Sequence, residues 1–218
     1  MRRILPALAI LALLAPLALA QDPPKPEAAK EESLDDCLKR IEKNHDNHKD
    51  FSGKFKQQKY AALFEDLIES SGRFVFLKPD KVRWEYEKPH QSILVISGDD
   101  GQKWTETTRR VEKFKLSDDR GLDAVVRQLF TWFKGEFTKL KDDYDVEIAQ
   151  RSPTMLRMKP RKEIVKKYIA SIEVKFTEKD EAIASVKITE PGEDYTLYSF
   201  SDTKLDAGVK DEEFEIKK

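Results

Sequence analysis

Phe51-Ser52-Gly53-Lys54-Phe55-Lys56-Gln57, Phe74-Val75-Phe76-Leu77, Val82-Arg83-Trp84-Glu85-Tyr86 and Ile93-Leu94-Val95-Ile96 lie close together in the chain, and their periodicity decides the fold. Phe51, Gly53 and Phe55 alternate with Ser52, Lys54 and Lys56; Val82, Trp84 and Tyr86 alternate with Arg83 and Glu85. A period of two is that of a β-strand, which sends successive side chains to opposite faces. Turn formers bound the runs: Lys78-Pro79-Asp80, Lys88-Pro89-His90 and Gly98-Asp99-Asp100-Gly101. Strands joined by such short turns pair antiparallel.

Toward the C-terminus, short strands are expected near Trp104 and over Val111–Leu116. Residues 119–134 break the pattern. Leu122, Val125, Val126, Leu129, Phe130 and Phe133 recur at helical spacing and predict a helix ending near Gly135. Strands resume at Tyr144–Gln150, Thr154–Lys159, Tyr168–Thr177, Ala182–Glu190 and Tyr195–Asp202, with a last short one at Glu213–Ile216; Glu178-Lys179-Asp180-Glu181 reads as a hairpin turn. Toward the N-terminus, Ser33 with Asp36 makes a weak capping box, and Leu34, Cys37, Leu38 and Ile41 predict an amphipathic helix over 33–49. About ten strands with two helices exclude a doubly wound fold. The expected architecture is mainly β: one curved antiparallel sheet forming an incomplete, half-open barrel, with the helices covering its cavity.

The first residues address the chain rather than fold it. Met1-Arg2-Arg3 is followed by an uncharged run over 4–20, rich in Leu, Ala and Ile and ending Ala18-Leu19-Ala20. That order is a secretory signal cleaved after Ala20. Pro6 and Pro16 interrupt a run already short for a membrane span. Residues 21–32, QDPPKPEAAKEE, are read as a disordered leader, and 33–218 as one folded domain. Export with a single cysteine, Cys37, excludes an internal disulfide.

Basic and acidic residues are balanced, 40 against 41, which excludes the concentrated basic face of a nucleic-acid binder. G-x-S-x-G, P-loop and G-x-G-x-x-G motifs are absent, and three histidines leave few general bases. His45 and His48, at i, i+3 with Asp46 between them, form a weak candidate metal pair with no third ligand evident. Cys37 lies on the apolar stripe and reads as a small buried hydrophobe. Asp142-Asp143-Tyr144-Asp145 lacks the Gly and terminal Glu of a calcium loop and reads as a solvated turn. No catalytic residue, metal or cofactor is expected, and the chain is expected to be a monomer. The aromatic residues of the strands divide between two readings, an ordinary core or the lining of an apolar ligand cavity.

Phe51–Gln57 resembles the F-x-[AG]-x-F-x-Q strand of the LolA family of periplasmic lipoprotein carriers. Gly72-Arg73-Phe74-Val75-Phe76-Leu77-Lys78-Pro79, Val82–Tyr86, and Ser92-Ile93-Leu94-Val95-Ile96-Ser97-Gly98 followed by Trp104 are similar to the three segments that come next in that family. The ending Val209–Ile216 is similar as well, while 105–208 match in pattern more than in identity. The resemblance implies a half-open barrel whose helices form a lid over an apolar cavity. It implies acylated lipoproteins as cargo, received from an inner-membrane ATP-driven releasing transporter and passed to an outer-membrane receptor. By that resemblance Phe55, Phe74, Phe76, Val82, Trp84, Leu94 and Trp104 are the expected cavity residues. Leu34, Leu38, Ile41, Leu122, Val125, Val126 and Leu129 are the expected lid, and Lys78 its latch, in place of an Arg in many relatives. The receptor of the pathway shares the fold but carries a lipidated Cys directly after its signal, where Gln21 stands here. A sensor domain of the same fold needs an added C-terminal domain. A carrier of another lipid remains a further alternative.

Overall fold

The computed structural model describes residues 31–63, 66–118, 126 and 130–217. The chain divides into two units, Met1–Glu31 and Glu32–Lys218, and the second holds the architecture that follows. The expected signal and leader lie outside the described residues, save the last two residues of the leader.

Helix α1 spans Leu34–Asp46. Ser33 caps it, its Oγ accepting the Asp36 amide at 3.2 Å, so one of the first-turn donors is satisfied. Eleven strands follow: β1 (Asp50–Ala61), β2 (Asp66–Leu77), β3 (Lys81–Lys88), β4 (Ser92–Ser97), β5 (Asp100–Thr105), β6 (Val111–Lys115), β7 (Tyr144–Arg151), β8 (Thr154–Pro160), β9 (Ser171–Phe176), β10 (Ile183–Thr189) and β11 (Tyr195–Leu205). They form one antiparallel sheet in the order β6-β5-β4-β3-β2-β1-β11-β10-β9-β8-β7. The chain therefore meanders outward from β1 to β6, crosses to the far edge, and meanders back until β11 pairs with β1. β6 and β7 are the two edges, and they do not pair with one another. This is the expected curved, unclosed sheet.

Three details depart from the expectations. The predicted strand at Glu213–Ile216 is a 3-10 turn over Asp211–Phe214; Arg83 Nη1 donates to the Glu213 and Glu215 carbonyls, both at 3.2 Å, so a side chain takes carbonyls that a strand would need. The strand expected from Tyr168 begins only at Ser171, because one helical turn, Glu163–Lys166, precedes it. β1 and β2 form longer arms than their apolar alternation marks. Beyond Gln58 both faces meet solvent, so no apolar pattern is needed there. Of the second predicted helix, the described positions 126 and 130–134 are helical.

The sheet buries apolar side chains on both faces. Outside, Val75, Ile93, Val95 and Trp104 pack under Phe214 of the C-terminal segment. Inside there are two cores. Under β7–β10, Cys37, Leu38 and Ile41 of α1 meet Leu156, Met158, Ile172, Val174 and Phe176. Leu38 and Ile41 are fully buried, each contributing about 1.5–3 kcal/mol. Under β1–β4, Phe51, Phe74, Phe76, Val82 and Ile96 meet Val126, Phe130 and Phe133.

Candidate functional site

Between the two inner cores the sheet encloses an open cavity of about 670 Å³, within the size range of ligand sites. Strand register decides which residues reach it. Val82 pairs with Ile96 and Trp84 with Leu94 across β3 and β4, and paired residues share a face. Val82, Trp84 and Leu94 thus point inward together, and all three line the cavity. The facing wall comes from Ile183, Val186 and Ile188 of β10 with Tyr198 and Phe200 of β11. Val126, Trp132 and Phe133 close a third side.

A layer of rings stiffens this lining. Phe55 stacks on Trp84 with centroids 4.3 Å apart, and Phe74 meets Phe200 edge-on at 5.3 Å. Phe133 stacks on Phe76 at 4.7 Å. Phe114 packs against Gly101, where a Cβ would come within 2.2 Å of the ring. Only glycine admits that ring to the wall. Burial pushes the Tyr198 phenol well above the ordinary tyrosine range, so it stays neutral. The charged lining groups are Lys103, Glu112, Lys115 and Asp118. Such a surface can hold an elongated apolar ligand by contact area.

The expected cavity set divides. Val82, Trp84 and Leu94 line the cavity, while Phe55, Phe74 and Phe76 stand one layer behind as its buried support. Trp104 does not belong. It pairs with Ile93 and lies on the outer face with Val75, Val95 and Phe214. The reason is parity: Leu94 faces inward, so Ile93 and its cross-strand partner face outward. The facing wall from β10 and β11 was not anticipated. Its alternation is visible in sequence, but the pairing that brings it opposite β3 is not.

The expected lid also divides. Leu38 and Ile41 are built into the core under β7–β10, with Leu34 packed against it, and none of the three lines the cavity. Val126 does line it. Leu122, Val125 and Leu129 lie outside the described residues. Far from resting loosely, α1 is tied down along its length. Glu42 Oε1 accepts from the amide and the hydroxyl of Thr138, each at 2.7 Å. Asn44 donates to the Lys179 carbonyl at 2.9 Å. Arg40 bridges Glu32 and the buried Asp180.

At the C-terminal end of α1, Lys78 Nζ donates to the His45 carbonyl at 3.1 Å and reaches Asp46 at 3.4 Å. A cation there meets both a last-turn carbonyl, which also accepts the His48 amide at 3.3 Å, and the negative end of the helix dipole. His45 is buried, and its Nε2 bonds the Trp132 carbonyl at 2.9 Å. The carbonyl can only accept, so Nε2 carries the proton. Burial, with Lys78 and His48 nearby, pushes the His45 pKa down to about 3. His45 is thus a neutral pin joining α1 to the helix that borders the cavity. Gly135, at φ +81°, ends that helix; a Cβ there would lie 3.2 Å from His45. His48 turns elsewhere, to Asp206 at 2.8 Å, so the two imidazoles do not converge. Cys37 is buried as expected, and burial raises its thiol pKa. Asp143 and Asp145 pair with Lys162 and Arg161.

Comparison with known proteins bears on this site. The family described as "Outer membrane lipoprotein carrier protein LolA" matches residues 46–217. An outer-membrane lipoprotein carrier protein of Aeromonas salmonicida is 28% identical over 96 residues, 44% of this chain and 45% of its own length. The chain thus spans about half the length of that relative. Among solved structures, an uncharacterized conserved protein of Thermus thermophilus superposes with a TM-score of 0.55 at 12% identity, over 86% of this chain and 95% of its own. A LolA superfamily protein of Nitrosomonas europaea gives 0.41 at 10% identity, over 82% and 97%. At 12% identity the likeness to the Thermus thermophilus protein is one of fold.

Proposed function

This chain belongs to the LolA family of outer membrane lipoprotein carriers, and from that premise we propose that it binds acylated lipoproteins by holding their acyl chains in the cavity between β3–β4 and β10–β11. In this reading the chain is exported, its signal removed after Ala20, and works in the periplasm, where proteins of the family reside. It receives cargo from an inner-membrane releasing transporter and delivers it to an outer-membrane receptor, acting as a monomer. Among the described residues no helix is long and apolar enough to cross a membrane. The family is one of carriers rather than enzymes.

The observation that carries the reading is the cavity itself. It is lined by Val82, Leu94, Ile183, Val186 and aromatic rings, and it opens to solvent. Burying one methylene gains about 0.8 kcal/mol, so a long acyl chain left in water costs on the order of 10 kcal/mol. An apolar wall offsets that cost without fixing one geometry, which suits cargo that must later leave. The described residues best placed to change the cavity's size are Val126, Trp132 and Phe133. One tie to α1 is the His45–Trp132 hydrogen bond, and Lys78 steadies the end of α1 that makes it. We assign Lys78 this latch role through a helix end rather than through a bidentate fork, which lysine lacks.

Mass spectrometry of the mature protein purified from a periplasmic extract tests the reading. Acylated polypeptides are expected to co-purify with the wild-type chain and to be lost from Leu94→Asp, which sets a carboxylate on the cavity wall. Recovery of unacylated partners only, from both proteins, would overturn it.

A further inference from the structure

The two walls of the cavity differ in charge. Among the described residues its charged lining groups, Lys103, Glu112, Lys115 and Asp118, all belong to β5, β6 and the turn Leu116–Asp118 after them. The opposite wall, from Ile183, Val186 and Phe200, carries none. Lys103 and Glu112 stand directly opposite one another across β5 and β6, and both are exposed to solvent. Lys115 is paired with Asp100 at 2.8 Å. The charged side is therefore a rim, next to the sheet edge that β6 leaves open.

A ligand with one apolar end and one polar end has two ways to lie in such a cavity. Laid with its hydrocarbon against the rim, it would strip water from Lys103 and Glu112 and return no hydrogen bond, which is unfavourable for any charged group. Reversed, its ester and amide groups meet an ammonium that donates and a carboxylate that accepts. Among the described residues the rim holds both cations and anions, so it offers donors and acceptors together. That suits an uncharged acyl-ester or acyl-amide head leading into a peptide, more than a phosphate.

Resting on the carrier reading, we propose that cargo lies in one direction only. Its acyl ends sit against the β10–β11 wall, its ester-and-amide head crosses the β5–β6 edge, and Lys103 and Glu112 are its positioning residues. The test uses the mature chain with a synthetic diacylglyceryl-cysteine peptide carrying a nitroxide either beside the ester or at the methyl end of one chain. Paramagnetic broadening of backbone amides is read by NMR. The ester-side label is expected to broaden Lys103 and Glu112 several-fold more than Ile183 and Val186, and the methyl-end label to do the reverse. In the double variant Lys103→Leu/Glu112→Leu, both exposed and outside the packed cores, the contrast is expected to fall to parity. Equal broadening by the two labels in the wild type, or the inverted pattern, would overturn the orientation while leaving the carrier reading intact. No broadening from either label would remove both.

Discussion

Under β7–β10 the concave face of the sheet is filled by α1; under β3–β6 the described helical residues Val126, Phe130 and Phe133 cover only part of it and leave an open cavity beside them. Leu38 and Ile41 are fully buried among Leu156, Met158 and Ile172, and a ladder of side-chain hydrogen bonds holds the helix there. On the other side Trp84, Leu94 and Phe114 remain partly exposed to an open space. Both halves are built from the same alternating strands, so the alternation by itself does not distinguish core from cavity. What distinguishes them is how completely a second layer fills the face. A filled half supplies stability; an unfilled half keeps apolar surface available, a feature otherwise rare in a folded chain.

The difference can be broken from the filled side first. Leu38→Ala leaves a void in a close-packed core and is expected to cost about 2–5 kcal/mol, read as a lower denaturant midpoint. Leu94→Ala on the cavity wall is expected to cost less than about 1 kcal/mol, because solvent or ligand already occupies the space beside it, a smaller cost than that of a sealed void. Equal losses at the two sites would abolish the distinction.

The joint between the halves is expected to weaken in acid. His45 has a folded pKa of about 3 against an ordinary value of 6.5. Between those values the unfolded chain binds the proton and the folded chain does not, so stability is fully present above pH 6.5 and falls as the pH drops below it. At about 1.4 kcal/mol per pH unit, roughly 2 kcal/mol is expected to be lost between about pH 6.5 and 5. Chemical denaturation at several pH values reads this slope, and His45→Gln is expected to flatten it. A wild-type slope no steeper than that of the variant would contradict the assignment. Gly135→Ala is expected to cost about 1–2 kcal/mol, from its left-handed backbone and the nearby His45 ring. Lys78→Met removes a cation from a helix C-terminus and is expected to cost about 1 kcal/mol, less at high salt. If its loss matched that of Leu38→Ala, the end of α1 would be doing more than the geometry allows.

Much of this was legible in sequence, and the limits have a physical form. The strands of 51–105 and the helix from Leu34 show in period alone, since each has one face against the core. Inward parity along β3 followed from Val82-x-Trp84. Trp104 could not be placed, because its face depends on the register between β4 and β5, which no local pattern states. The α1 stripe showed that Leu34, Leu38 and Ile41 share one packed face but not against which half of the sheet. The β10–β11 wall was hidden for the same reason: β11 pairs with β1 between positions as distant in the chain as Phe51 and Leu205. Gly135 marked a helix end in sequence, whereas its contact with His45 required the fold.

Site-specific photo-crosslinking measures the central claim most directly. A benzophenone side chain placed at Trp84, inside the cavity, and at Gln102, on the outer face of the same half, is irradiated in intact cells. Acylated lipoproteins captured from position 84 and not from position 102 are the predicted result. Capture that is equal at the two positions, or that yields only unacylated proteins at position 84, would contradict the account.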